Sequence, residues 1–282
     1  MRELIAITVY IAIAVMSSVA IIASPTLGAQ ADTDKIGVVV SIPPLAQFVE
    51  NVGGERVKVT ALLPPGKEPH TFSLTPRDLK KINEAFLFVV NGAKLEFWMD
   101  RVAEVNPGII VVDTSQGVEL IDDDPHIWLS PRNARLQVKN ILQALIQLDP
   151  EYQDYYQHNA HRYLQKLDGL DRSIEISLQG IKVKKFIIFH PALTYFARDY
   201  NLEQITVEVG GKSPKAKDIK RAIDEARKHN IKVIFAEPQF DPHSAEVIAS
   251  EIGGEVVFID PLAQNYLENM YTILGILVDT MD

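Results

Sequence analysis

Short, uninterrupted apolar runs recur along the chain, and segments with helical spacing separate them. In the first half the runs cover 36–42, 57–63, 86–90 and 109–112. In the second half they cover 185–189, 205–209, Val233–Ala236 and 256–259. They are rich in β-branched residues and do not alternate with polar ones, as expected of strands covered on both faces of a parallel sheet. Helical patterns lie between them, for example over 76–84 and Ala216–His229, and Thr75-Pro76 and Ser213-Pro214 mark helix starts. Strand–helix alternation in each half predicts an α/β fold with two lobes. Each lobe carries a four-stranded, mostly parallel sheet flanked by helices.

A long helical stretch joins the halves. The segment 133–148 has apolar residues at 138, 141, 142, 145 and 146, and Asp149-Pro150 reads as an N-cap followed by the first helical residue. The next helix runs to about Gln179, with Tyr156, Ala160, Tyr163, Leu167, Leu170, Ile174 and Leu178 on one stripe. Roughly 30 residues at ~1.5 Å each give a rod of about 45 Å, long enough to run along both lobes. The stretch is not Gly/Ser-rich, so the connection is stiff. The expected organisation is a first lobe over 32–132, linker helices over 133–182 and a second lobe over 183–282.

The N-terminus follows a different pattern. Met1-Arg2-Glu3 precedes an apolar run from Leu4 to Ala23, and Ala29-Gln30-Ala31 forms a small-x-small site. Residues 1–31 therefore read as a secretory signal peptide. An uncleaved membrane anchor is the alternative, because the run approaches the ~20 apolar residues that span a bilayer. Either way the rest of the chain is periplasmic or otherwise extracytoplasmic. Of 282 residues, 47% are apolar and the net charge is −9, which gives no electrostatic case for nucleic acid or an anionic membrane surface. There is no cysteine, so any metal site must use nitrogen and oxygen.

Four candidate ligands stand at abrupt ends of apolar runs, each beside a proline: His70 after Glu68-Pro69, His126 after Asp124-Pro125, His190 before Pro191 and Asp260 before Pro261. Three imidazoles and a carboxylate make a full ligand set for a divalent transition metal. In open parallel sheets, ligands bind beyond the carboxyl ends of the strands. The four positions come from both halves, which suggests a cation held between lobes. Glu237, at the end of Val233–Ala236, and Glu68 are candidates to hydrogen-bond a ligating imidazole. His158 and His161 fall off the apolar stripe of the long helix, and His229 suits a helix C-terminus. His243 reads as a surface residue or an accessory ligand. Asp122-Asp123-Asp124 reads as a solvated turn.

Several pieces together resemble the metal-binding receptors of bacterial and archaeal ABC importers for zinc and manganese, the cluster A-I solute-binding proteins. They are Pro69-His70-Thr71-Phe72-Ser73-Leu74-Thr75-Pro76-Arg77-Asp78, Asp124-Pro125-His126-Ile127-Trp128-Leu129, His190-Pro191-Ala192-Leu193-Thr194-Tyr195-Phe196-Ala197, Phe235-Ala236-Glu237-Pro238-Gln239 and Asp260-Pro261-Leu262. The resemblance implies two α/β lobes joined by a rigid backbone helix, a metal in the interlobe cleft, and His70, His126, His190 and Asp260 as ligands. It implies an ABC permease as partner and a monomer that is not an enzyme. Histidine at position 190, where manganese members tend to have glutamate, points to Zn²⁺, with Mn²⁺ the alternative. The long His-rich loop of many zinc members is missing here. A zinc hydrolase is disfavoured, because Asp260 would fill the open position and neither HExxH nor a nucleophile elbow is present. A receptor for an organic ligand or chelate would need a broad pocket, and an adhesin role in addition to transport stays open. Neutral imidazole is the ligand form, so metal binding should weaken as pH falls through ~6.5.

Overall fold

The computed structural model describes residues 35–208 and 213–281, and the expected signal peptide or anchor lies outside them. The first half runs β1 (Ile36–Val40), α1 (Pro43–Gly53), β2 (Val57–Ala61), α2 (Pro76–Asn83), β3 (Leu87–Val90), α3 (Met99–Val105) and β4 (Ile110–Asp113). Then come the helices α4 (Pro131–Leu148) and α5 (Gln153–Gln179). The second half runs β5 (Lys185–Ile188), α6 (Thr194–Asp199), β6 (Glu203–Thr206), α7 (Ala216–His229), β7 (Val233–Ala236), α8 (His243–Ile252), β8 (Glu255–Phe258) and α9 (Tyr266–Met281).

Each half forms one four-stranded sheet, ordered β2-β1-β3-β4 and β6-β5-β7-β8, and all pairs are parallel. The same order occurs twice, so the two halves repeat one topology. β3 and β7 are buried along their whole length, as their continuous apolar sequences require. The edge strands are not: Ile110, Val111 and Phe258 are exposed. Beyond the regular ladder the backbone continues in step, with Leu62 N–H donating to Val40 O at 2.9 Å, Phe189 N–H to Phe235 O at 2.8 Å and Glu208 N–H to Phe189 O at 2.9 Å. These extensions carry the chain to the carboxyl edge of each sheet.

Local chemistry sets the helix ends. Thr75 and Asp78 form a reciprocal capping box at α2, with Pro76 at the first helical position. The Ser213-Pro214 start is displaced: α7 begins at Ala216, where the Asp218 carboxylate accepts from Lys215 N–H at 3.0 Å. Asp149 precedes a tight turn at Pro150–Tyr152, and its side chain does not cap that turn. Its Oδ2 instead accepts from Arg56 Nη2 at 3.0 Å and from Tyr156 Oη at 2.7 Å.

The connector is a helical hairpin. At ~1.5 Å per residue, the 27 residues of α5 span about 40 Å. Its stripe from Tyr156 to Leu178 is buried in one core, which also takes Phe48 of α1 and Tyr266 of α9. Gln47 on α1 bonds to all sides of this seam. Its Oε1 accepts from Tyr163 Oη at 3.1 Å and from Leu267 N–H at 3.0 Å, and its Nε2 donates to Asn265 at 2.8 Å. The lobes thus share a core along α5, which opposes a wide hinge motion. Among the described residues no helix is long and apolar enough to cross a membrane.

Candidate metal centre

Three loops at the carboxyl edges bring His70, His126 and His190 together, with one ligand atom of each within 4.8 Å of the others. His126 Nε2 lies 3.2 Å from His70 Nε2 and 3.1 Å from His190 Nε2. Nitrogens bound to zinc at ~2.0–2.1 Å in a tetrahedron are about 3.3 Å apart. The imidazoles therefore already stand near the spacing that a zinc ion requires.

Each ring is oriented by a different device. His126 follows Asp124-Pro125, and Asp124 Oδ1 accepts both His126 N–H at 2.9 Å and the ring Nδ1–H at 2.7 Å. His190 Nδ1 meets Glu208 Oε2 at 2.8 Å, and its ring stacks on Phe240 at 4.7 Å between centroids. Since carboxylates accept only, both rings carry the proton on Nδ1 and turn the Nε2 lone pair to the centre. His126 and His190 are buried, whereas the His70 side chain is half-buried on its loop, with 35% of its surface left in solvent. Glu68 Oε1 accepts from His70 N–H at 2.6 Å and stays 4.0 Å from the ring Nε2.

Burial, followed by the repulsion that a charge would meet from His126 and His190, lowers His70 to about 4. Burial also lowers His126, against the opposing pull of Asp124. The pH dependence expected from an unperturbed imidazole near ~6.5 is therefore displaced for these two rings. The His70 ring of metal-free protein is expected to titrate with a midpoint of about 4 in a histidine nitrogen NMR series. The unfolded chain takes up this proton below ~6.5 and the folded one does not, so stability falls as pH drops from there towards the folded midpoint and levels off below it. A His70 midpoint near the ordinary value would contradict the crowding described here.

The other sequence candidates are carboxylates. Asp260 does not join the imidazole cluster. Its Oδ1 accepts from Gln239 Nε2 at 2.7 Å and from Leu262 N–H at 3.0 Å. Glu237 is fully buried, and its Oε2 faces His190 N–H at 3.4 Å rather than the ring. Burial raises its pKa well above the usual carboxylate range. Glu68 likewise bonds backbone rather than imidazole. The carboxylates on the rings are Asp124, which the sequence places in a solvated turn, and Glu208, which it places inside a strand. His158, His161 and His243 are exposed, and His229 pairs with Glu225 at 3.3 Å on the last turn of α7.

The space against the imidazoles is lined by Pro69, Trp128, Gln239, Phe240, Pro261 and Leu262, and its cavity volume is about 10 Å³. Sites for organic ligands occupy ~300–1,000 Å³, so the cavity suits an ion better than a chelate.

The family described as zinc-uptake complex component A, periplasmic, matches residues 38–280. A high-affinity zinc uptake system protein ZnuA of Bacillus subtilis (strain 168) is 31% identical, over 81% of this chain and 79% of that protein. A crystal structure of ZnuA superposes with a TM-score of 0.87 at 37% identity, covering 88% of this chain and all of the other. The Zn(II)-bound ZnuA-like domain of Streptococcus pneumoniae AdcA superposes with a TM-score of 0.77 at 26% identity, covering 88% of this chain and 99% of that domain.

Proposed function

Because the chain belongs to the zinc-uptake complex component A family, we infer that it is the solute-binding component of an ABC importer, and that it captures Zn²⁺ between its lobes and hands it to a membrane permease. The family binds solutes and is not one of enzymes. The observation that carries the reading is the spacing of 3.1 and 3.2 Å from His126 Nε2 to its two neighbours, near the edge of a zinc tetrahedron. His70, His126 and His190 are the ligands, and three imidazoles favour zinc over manganese. Residues 1–31 direct the chain out of the cytoplasm, where it works as a monomer.

The differences between the three rings suggest how the ion leaves. His126 and His190 are buried and tied to carboxylates. His70 lies on an exposed loop after Pro64-Pro65-Gly66, with its carboxylate on the backbone. With the lobes fixed along α5, withdrawal of His70 is the smallest movement that opens the shell.

The test is metal analysis of untagged protein with competition between the two ions. A single equivalent of zinc that resists excess manganese is expected, and His190→Ala should lose it. Preferential retention of manganese, or unchanged zinc binding in that variant, would overturn the assignment.

A further inference from the structure

The helix that follows His190 reaches back into the first lobe. Tyr195, on the first turn of α6, is fully buried. Its ring packs with Ala93 and Ile127 of the first lobe, against Val118 and Ile121. Its hydroxyl spends both of its hydrogen-bonding roles on one turn there: it accepts from Ile121 N–H at 3.1 Å and donates to Asp124 O at 2.7 Å. Further along α6, Arg198 Nη1 donates to Glu119 O at 3.1 Å, and its guanidinium lies 5.2 Å from the Tyr195 ring centroid.

The turn gripped in this way is the one that orients His126. Asp124 N–H donates to Ile121 O at 3.0 Å and closes it. Asp122 inside it takes a left-handed φ of 46°, a conformation that costs energy for a residue with a Cβ and persists where the surroundings fix it. From the end of this turn the Asp124 carboxylate accepts both the backbone N–H and the ring Nδ1–H of His126. A turn free to relax would carry that carboxylate off the imidazole, and the ring proton would lose the partner that keeps it on Nδ1.

We propose that Tyr195 is a positioning residue for the metal centre: its hydroxyl, reaching across from the second lobe, locks the turn from which Asp124 orients His126. Arg198 is the outer fastening of the same latch. The inference rests on the zinc reading above and deepens it, because it names what links two of the ligands. The segment that carries His190 also fastens the turn behind His126, so the two imidazoles are set as a pair before an ion arrives.

The experiment compares wild type, Tyr195→Phe and Arg198→Ala as full chains. Phenylalanine keeps the buried ring and removes only the hydroxyl, and melting curves confirm folding. Histidine nitrogen NMR of metal-free protein at neutral pH reports the tautomers. Wild-type His126 should show the Nδ1–H form. In Tyr195→Phe part of its signal should move to the Nε2–H form, whereas His190, held by Glu208, should keep its proton on Nδ1. Zinc affinity of Tyr195→Phe, by chelator competition, should fall by about 10–100-fold, the usual cost of losing an outer partner. Arg198→Ala should move both readouts in the same direction and by less. An unchanged His126 tautomer in folded Tyr195→Phe would overturn the proposal, even with a lowered melting temperature, since a merely structural hydroxyl changes only the latter. So would a zinc loss below about tenfold, short of the range for an outer partner. Should Tyr195→Phe fail to fold, Arg198→Ala decides, and no change in either of its readouts would overturn the latch. Wild-type protein that binds no zinc would remove the underlying reading, while the tautomers of metal-free protein still judge the latch.

Discussion

Replacing His126 by Ala is expected to cost zinc affinity at least about 100-fold, more than the 10–100-fold typical of an outer-shell partner. Its Nε2 is the atom common to both short distances, 3.2 Å to His70 and 3.1 Å to His190. Without it the other two nitrogens keep no third donor between them. Water can substitute at an exposed corner, as at His70, but His126 is only 4% exposed and lies against Trp128. The fold should survive, because Asp124 keeps its bond from the backbone N–H of residue 126. Chelator competition checks the affinity, and near-ultraviolet dichroism checks the fold. Folded His126→Ala protein with zinc affinity within tenfold of wild type would remove this residue from the shell.

The architecture was readable because double burial leaves a mark on composition. β3 and β7 are central strands covered on both faces, and their residues are accordingly all apolar. The stripe from Tyr156 to Leu178 identified the connector for the same reason. What escaped was the direction of polar side chains. Glu208 sits between Val207 and Val209, so the apolar pattern places it in a strand, yet a lone carboxylate at the end of an apolar run has to find a partner where the strand leaves the sheet. Its partner is His190. Asp124-Pro125-His126 and Glu68-Pro69-His70 share one pattern with different outcomes. The shorter Asp reaches both the backbone N–H and the ring of its histidine, whereas Glu68 reaches only the backbone. Asp260 shows the limit most clearly. Its place at the end of β8 was legible, but its orientation depends on Gln239 and Leu262, and no periodicity encodes those contacts.

Trp128→Ala is expected to remove about 3–5 kcal/mol of stability, the usual cost of emptying a large aromatic site. Trp128 is 1% exposed and belongs to the same core as the α5 stripe. Its indole N–H donates to Pro261 O at 2.8 Å, so it also ties the loop after His126 to the loop after Asp260. Truncation therefore opens a cavity and strands a buried carbonyl, at a further ~1–3 kcal/mol if no water replaces the donor. Against a total of ~5–15 kcal/mol this approaches global unfolding. Trp128→Phe separates the two contributions, because it keeps most of the packing and loses only the donor. Urea denaturation of metal-free protein should rank wild type, Trp128→Phe and Trp128→Ala in falling order. Metal must be absent, because an ion that binds only the folded state raises apparent stability by mass action and masks the loss. If Trp128→Ala lay within 1 kcal/mol of wild type, the seam between the loops would not depend on this ring. Zinc binding in Trp128→Phe then reads the coupling directly: the ring centroids of residues 126 and 128 are 5.4 Å apart, so a phenyl that holds His126 in place preserves affinity even where the indole bond is gone.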